Sequence, residues 1–248
     1  MTHETYAGDS NSRTDSGIES SETETEIKTS GDHLLEEALE LTNFQVSQLA
    51  VAVGNAKSGQ QILRTLNDLP FDNEITHGRL YPNLDVLYEA GLIEKHERDR
   101  RTNEYPVTAQ GKALLSAYGN WLENALAETD DRSTPISLDA KRFSFQLTHF
   151  QIGCLASLTG DRVSGQTAKG RLKEDLGQDI NHGRLYPNLD TVVDNDCVEK
   201  GDNDCVEKGE IDRRTNGYEL TDIGRGVLAA RFRWLRDQGA VDGAGGDA

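Results

Sequence analysis

Apolar residues recur at helical spacing in and just beyond a phrase of nine residues that the chain contains twice. The phrase His-Gly-Arg-Leu-Tyr-Pro-Asn-Leu-Asp occupies residues 77–85 and again residues 182–190. In the first copy, four apolar positions follow the spacing i, i+4, i+7, i+8, which is typical of the buried stripe of an amphipathic helix. They are Leu80, Leu84, Leu87 and Tyr88. An exact match of nine residues indicates an internal repeat, and therefore two related structural units.

Four other residues of the phrase fall on the side of this predicted helix that faces solvent or a partner. In the first copy they are Arg79, Pro82, Asn83 and Asp85. Proline is tolerated near a helix start, where backbone N–H groups lack intrahelical acceptors, so the helix should begin just before the phrase. Thr76 and Asn181 are the predicted N-caps of the two copies. An ordinary amphipathic helix would explain the apolar face, but the identical outward residues favour a functional surface.

The same predicted elements surround both copies of the phrase. Two short helices precede each copy. Their predicted N-caps are Thr42 and Ser58 in the first unit, and Thr148 and Ser164 in the second. Two β-type runs around the shared sequence Asp-Arg-Arg-Thr-Asn follow each copy and predict a hairpin. An amphipathic helix closes each unit, with Trp121 aligned to Trp234.

This order of helices, followed by a hairpin with a basic tip and a long helix, resembles the PadR-type winged helix-turn-helix regulators. The sequence of residues 180–218 is especially similar to that of the RosR-like regulators of halophilic archaea. The resemblance covers roughly residues 41–128 and 147–237. It implies a mainly α fold with small β-hairpins, arranged as two tandem winged helix-turn-helix domains. It also implies binding to double-stranded DNA, with the third helix in the major groove and the wing against the backbone or the minor groove.

Composition and the repeat together predict the domain boundaries. Residues 1–32 are rich in Ser, Thr, Glu, Asp and Gly and contain almost no large apolar residue, which is typical of disorder. The predicted division is an acidic tail over 1–32, a first unit over 33–128, a linker over 129–143, a second unit over 144–238 and a flexible tail over 239–248.

The formal net charge of −17 is unusual for a DNA-binding chain. Residues 1–40 contain eleven acids and two bases, so this stretch carries over half of the excess. The acidic composition, with 9 Lys against 17 Arg, suits a halophilic host. At about 1 M salt the screening length is only about 3 Å, so a distant acidic surface repels DNA weakly. The charge is therefore only weak evidence against DNA binding.

Other features of the sequence narrow the class of protein. The chain has no run of eighteen apolar residues and no apolar stretch at its N-terminus, which predicts a cytoplasmic protein without a membrane span or signal peptide. Three cysteines, two of them inside a duplicated segment, do not form a disulfide framework. The sequence predicts no metal site, no cofactor and no catalytic residues, because it shows no motif for any of them.

The candidate DNA contacts lie at the starts of the second and third helices and in the wings. In the first unit they are Gln60, His77, Arg79, Tyr81, Asn83, Lys95, Arg98, Arg100 and Arg101, and in the second Gln166, His182, Arg184, Tyr186, Asn188, Arg213 and Arg214. Arg79 and Arg184 are the best candidates for reading guanine edges. The wing arginines suit phosphates and narrow minor grooves. The alternative for the wing cations is that they belong to an ordinary solvated hairpin. The alternative for the two histidines is that they are helix-start residues exposed to water.

The predicted function is sequence-specific, DNA-binding transcription regulation by two winged-helix units on one chain. The units could form an intramolecular pseudo-dimer, or the chain could form a homodimer that presents four winged helices. The alternative function is a winged-helix module that binds proteins and has no specific DNA site. An enzyme is not predicted.

A tandem duplication of eight residues lies within the second unit, after the second copy of the phrase. Residues 194–201, Asp-Asn-Asp-Cys-Val-Glu-Lys-Gly, are repeated at once over 202–209. Either copy could form the first strand of the second wing. We expect the first copy to do so, because Cys197 and Val198 directly follow the third helix and can fill the core positions of Leu92 and Ile93. The second copy would then lengthen the wing, where insertion is better tolerated than at a core junction.

Overall fold

The computed structural model of the protein describes residues 33–128, 136–202 and 216–241. In this part of the chain it is mainly helical, with two small antiparallel sheets, as the sequence predicts. The predicted acidic tail, most of the predicted C-terminal tail and the candidates Arg213 and Arg214 lie outside the described residues.

The described parts of the two units contain the same helices and wing strands in the same order, and the second unit has an additional short strand before α8. The first has helices α1 (residues 33–40), α2 (Asn43–Ala52), α3 (Gly59–Asn67) and α4 (His77–Glu89), strands β1 (His96–Asp99) and β2 (Thr102–Glu104), and helix α5 (Ala109–Ala127). The second has α6 (Leu138–Gln146), α7 (His149–Ser157), β3 (Val163–Ser164), α8 (Gly165–Leu176), α9 (His182–Asp194), β4 (Val198–Asp202), β5 (Asn216–Leu220) and α10 (Asp222–Asp237).

Polar caps define where these helices begin. Thr42, Ser58 and Thr148 each accept a hydrogen bond from the backbone three residues on, and a glutamine side chain at that position accepts one in return. These reciprocal capping boxes satisfy two backbone donors that a helix start would otherwise leave open. Ser164 also caps its helix, through the N–H of Thr167, so the four N-caps predicted for the two helices before each phrase, α2, α3, α7 and α8, are confirmed.

Helix α6 corrects the predicted linker over 129–143. It begins at Leu138, inside that range, because the Ser137 hydroxyl accepts the Ala140 N–H, and it buries Phe145 against the core. It lies directly before Leu147, as α1 lies directly before Leu41. The repeat therefore includes this first helix, and each unit starts with it.

The third helix of each unit packs by the predicted stripe, with one exception. In α4 the residues Leu80, Leu84 and Leu87 are completely buried. Tyr88 was predicted to be buried, but it is 49% exposed. At about 100° per residue it points about 80° away from Leu80, beyond the edge of the buried stripe. The second unit buries the equivalent set Leu185, Leu189 and Val192.

The first copy of the tandem duplication forms the wing strand of the second unit, as predicted. Strand β4 pairs with β5 so that Val198 lies opposite Leu220, and β5 also pairs with β3. Cys197 is fully buried, and burial raises the pKa of its thiol to about 12. Cys197 and Val198 thus fill the positions that Leu92 and Ile93 fill in the first unit. Residues 203–215 lie outside the described residues.

The two units pack against each other through reciprocal contacts. Helix α10 packs on α5, and α2 contacts α6. The Asn43 side-chain amide donates to the Leu147 carbonyl oxygen, 2.8 Å away, and to that of Ser144. At the position equivalent to Asn43, the His149 Nδ1 lies 3.2 Å from the Ala38 carbonyl oxygen of the first unit. Equivalent residues of the two units therefore take part in the contact between them.

One close approach supports each wing against the closing helix. A Cβ atom at Gly111 would overlap the carbonyl oxygen of Leu92, and one at the equivalent Gly224 would overlap that of Cys197.

Gly111→Ala should therefore force the wing strand from α5 and destabilise the fold by about 1–3 kcal/mol in denaturant unfolding. Gly170→Ala in α8 is the matched control, because its Cβ would meet open space. It should be neutral or stabilising by up to about 1 kcal/mol. Equal effects of the two substitutions would contradict this contact.

Candidate nucleic-acid interface

The repeated arginine of the third helix has the same support in both units. The Arg79 guanidinium lies 4.2 Å from the ring centroid of Phe44 in α2, and that of Arg184 lies 4.1 Å from Phe150 in α7. Both arginines are exposed overall. Stacking on an aromatic face orients the planar fork while its N–H edges stay available to a ligand. The two phenylalanines were not predicted as part of the site, although their alignment in the repeat could have suggested it.

The repeated tyrosine joins the third helix to the start of the second. A Cβ atom at Gly59 would lie 2.8 Å from the Tyr81 Cε1, and one at Gly165 would lie 3.1 Å from the equivalent atom of Tyr186. Glycine at the first position of α3 and α8 therefore leaves room for the ring. The rings also contact the preceding histidines. His77 stacks on Tyr81 at 5.9 Å, whereas His182 meets its tyrosine edge-on at 5.5 Å.

The repeated asparagine is partly used within its own helix. The Asn83 side-chain amide donates to the Arg79 carbonyl oxygen at 2.8 Å, and Asn188 donates to the Arg184 carbonyl oxygen at 2.7 Å. One donor of each amide is thus already engaged. Both side chains are half-buried, so a ligand would meet only their outer part.

An ion pair ties each wing to its third helix. The Lys95 Nζ lies 3.4 Å from an Asp85 carboxylate oxygen, and the Lys200 Nζ lies 2.8 Å from Asp190. The hydrogen bond to Asp190 raises the pKa of Lys200. Lys95 was predicted to contact DNA, but its charge is shared with a carboxylate. The ion pairs of Asp85 and Asp190 with the wing lysines were not predicted, although the identity of the two phrases was a signal that these aspartates have a role.

The tip of the first wing presents two exposed arginines. Arg98 is paired with Glu104 at 3.2 Å, so part of its charge is also neutralised. Within the described part of the chain, Arg100 and Arg101 form no ion pair and are exposed. The Arg101 backbone N–H donates to Asp99 and lowers the pKa of that carboxyl, which stabilises the turn. The turn therefore presents both guanidinium groups to solvent.

An open cleft in the first unit lies between helices α3 and α4 and the wing. Its lining combines predicted contacts with residues that were not predicted, among them Asp85, Thr102 and Asn103. The lining residues are Ser58, Gly59, Gln60, Tyr81, Asp85, Lys95, Arg98, Arg101, Thr102, Asn103 and Tyr105. Gln60 and its equivalent Gln166 are exposed at the second position of their helices, where backbone N–H groups point out of the helix. Such a helix start can bind phosphate.

The N-caps of α4 and α9 differ, although the two helices begin with the same nine residues. The Asn181 side chain accepts the Arg184 N–H at 2.8 Å, as predicted. Thr76 occupies the N-cap position of α4, but its hydroxyl accepts no hydrogen bond from that helix. The predicted side-chain cap of the first copy is therefore wrong, while its predicted position is right.

Two further classes of site receive no support from the described residues. No group of three or more potential metal ligands comes together among them. None of the helices described is both long enough and apolar enough to span a bilayer.

A family model described as the transcriptional regulator PadR-like family matches residues 49–117 and 155–230, together more than half of the chain. The chain belongs to this PadR-like family. The two matches coincide with the two units, so the fold consists of tandem winged helix-turn-helix domains. No curated protein matches the chain.

Solved structures of RosR from H. salinarum are similar in sequence to this PadR-like chain. The complex hsRosR-S1 is 43% identical over 38% of this chain and 82% of that one, with a TM-score of 0.33. The complex hsRosR-S4 is 39% identical over 40% and 84%, with a TM-score of 0.34. RosR grown from NaBr is 41% identical over 38% and 82%, with a TM-score of 0.32.

The unequal caps give a test of how the PadR-like third helices are held. Asn181→Ala should destabilise the protein by about 1 kcal/mol, because it removes an N-cap hydrogen bond. Thr76→Ala should have a much smaller effect, because the threonine hydroxyl makes no such bond. Denaturant unfolding of the two variants in one high-salt buffer provides the comparison. A larger loss for Thr76→Ala than for Asn181→Ala would show that the caps are assigned the wrong way round.

Proposed function

We propose that the chain is a sequence-specific DNA-binding transcription regulator whose two units read one duplex through α4, α9 and their wings. The observation that supports this most is the repeated arginine, stacked on a phenylalanine at nearly the same distance in both units. The PadR-like family is one of transcriptional regulators, so a DNA ligand is the natural partner. Specific reading of bases is the finer claim that experiment has to test.

In the proposed complex, the exposed faces of α4 and α9 enter the major groove. Arg79 and Arg184 would donate two hydrogen bonds each to guanine O6 and N7, which discriminates by about 1–3 kcal/mol per base pair. Because the nine residues of the two phrases are identical, the two helices would prefer the same bases. Tyr81 and Tyr186, packed on the second helix, would hold each reading surface at a fixed angle to it.

The wings and the starts of α3 and α8 would bind the DNA backbone. Arg100 and Arg101 are exposed at the tip of the first wing, and Arg213 and Arg214 are their counterparts by sequence. Arginine forks match phosphate geometry and also enter narrow minor grooves. Gln60 and Gln166 lie beside helix N-termini, which would receive a phosphate through their backbone N–H groups.

The acidic character of the chain is compatible with this function at high salt. Much of the excess charge lies in residues 1–40, far along the chain from the proposed reading helices. With a screening length of about 3 Å at 1 M salt, only charges in direct contact with DNA matter. Asp85 and Asp190 do lie on the reading helices, but each is paired with a wing lysine.

The double variant Arg79→Ala/Arg184→Ala should abolish specific binding, because it removes the proposed base contacts from both units. The measurement is a mobility-shift titration with a duplex selected from a random pool by the unaltered protein, and circular dichroism verifies the fold. The matched control is Arg142→Ala/Arg236→Ala, which removes the same charge from α6 and α10. Specific affinity that survives in the first variant, or falls equally in both, would refute the assignment of the reading helices.

The variant Arg100→Ala/Arg101→Ala should weaken binding to selected and random duplexes by the same factor, because phosphate contacts carry no sequence information. The slope of log affinity against log salt should become shallower by about one unit for each lost contact. Lys112→Ala, on exposed α5 surface, is the single-charge control. A loss confined to one base pair of the selected site would mean that the wing reads bases.

A further inference from the structure

The contact between the two units contains a buried arginine in the second unit where the first unit has a tyrosine. Arg231 of α10 is completely buried, and Tyr118 of α5 occupies the equivalent position in the repeat and is also completely buried. The Arg231 guanidinium lies 6.0 Å from the Tyr118 ring centroid, so the two equivalent side chains meet at the centre of the interface. A twofold pair of identical units would place two identical side chains there.

The hydrogen-bond partners of Arg231 belong to the first unit and are neutral. Its Nη1 donates to the Ser47 hydroxyl at 3.1 Å, and its Nη2 donates to the Asn43 carbonyl oxygen at 3.4 Å. Among the described residues no carboxylate forms an ion pair with it. A fully buried cation without a counter-charge is stable only where the surrounding dipoles are correctly placed.

The side-chain acceptor of Arg231 is absent from the equivalent surface of the second unit, whereas the other acceptor, the Asn43 carbonyl oxygen, is a backbone group. Ser47 aligns with Gly153, which has no hydroxyl group, and Asn43 aligns with His149. His149 instead packs against the Tyr118 ring, with centroids 4.8 Å apart. Burial, and next to it the charge of Arg231, lowers the pKa of His149 to about 3, so the ring is neutral. Arginine therefore faces serine and asparagine, while tyrosine faces histidine and glycine.

We infer that this asymmetric set makes the interface selective: the second unit pairs with the first unit of a chain and not with a second copy of itself. Two second units paired in the same way would bring two Arg231 guanidinium groups together in a buried space. Each would also face Gly153 and lose its hydroxyl acceptor. Both the repulsion between like charges and the unsatisfied donors oppose that pair.

Replacement of Arg231 by tyrosine would remove the selectivity. With Arg231→Tyr, the introduced tyrosine of each second unit would face His149 and Gly153 of the other. This is the environment that Tyr118 already occupies in the native chain. A self-paired second unit would then repeat a native contact twice. One residue thus decides whether the second unit pairs with a first unit or with another second unit, and this holds whether or not the protein binds DNA.

The first test uses the intact chain. Tyr118→Arg creates the buried pair of arginines and should lower the thermal unfolding midpoint in high salt by many degrees. Tyr118→Phe, which keeps the ring and adds no charge, should lower it by far less. Similar midpoints for the two variants would overturn the inference, because the two positions would then not oppose each other.

The second test measures partner choice directly. A protease site inserted within residues 129–135 allows the purified chain to be cut between the units, with both halves present. Two preparations, one with an affinity tag on its second half, are mixed, unfolded and refolded in high salt. Mass spectrometry of the captured material should find first halves at equal amount and untagged second halves only at background. The Arg231→Tyr preparation should recover untagged second halves well above background, whereas the exposed-site control Arg236→Tyr should not.

Three outcomes of the exchange experiment would overturn the inference. Untagged second halves captured at the statistical fraction from the unaltered chain would show that the interface does not select. Capture of second halves without any partner would show that the interface does not hold the units together. Unchanged capture with Arg231→Tyr would place the selectivity in other residues.

Discussion

The contact between the two units determines where the rest of the molecule can act. Helices α5 and α10 pack together, and the Asn43 and His149 side chains each reach a carbonyl oxygen of the other unit. Because these contacts are reciprocal, equivalent residues of the two units meet across the contact. Two equivalent sequences held in this way present the same face twice. A PadR-like regulator on one chain needs this relation if a single duplex is to meet both helices.

Within each unit, a few contacts position the surface that is proposed to read DNA. The arginine of the phrase stacks on a phenylalanine of α2 or α7. The tyrosine packs on the first glycine of α3 or α8, and the aspartate pairs with a wing lysine. Each contact joins a residue of the nine-residue phrase to a different element. This explains why outward residues are repeated as faithfully as core ones. A surface fixed before binding loses less conformational entropy when a ligand arrives.

Much of this arrangement could be predicted from the sequence, because the repeat compares the chain with itself. Identical residues in both copies identified the third helix, its capping position and the wing. The register of the duplicated wing strand also followed, since Cys197 lies next to the helix end and has a core position to fill. The prediction failed for Tyr88, which lies just outside the buried stripe, and for the Thr76 hydroxyl, whose orientation no pattern specifies.

The differences between the units were harder to predict than their similarities. Arg231 reads in sequence as one more charged residue on an amphipathic helix, and only the packing of α10 against α2 and α5 shows that it is buried. Its tyrosine counterpart becomes visible only after the shifted register beyond the duplication is applied. The first six residues of helix α6 were assigned to a linker for a related reason, since the burial of Ala140 and Phe145 depends on packing against the rest of the fold. Long-range packing, which local periodicity does not encode, decided both cases.

The most direct test of the central claim is the number of chains on one duplex, together with the number of major-groove segments they protect. Sedimentation in high salt with a duplex selected by the full-length protein measures the first. Protection of guanine N7 from methylation measures the second. The account predicts one chain per duplex and two protected segments of the same core sequence in opposite orientation. A single protected segment, or a requirement for two chains to protect both, would contradict it.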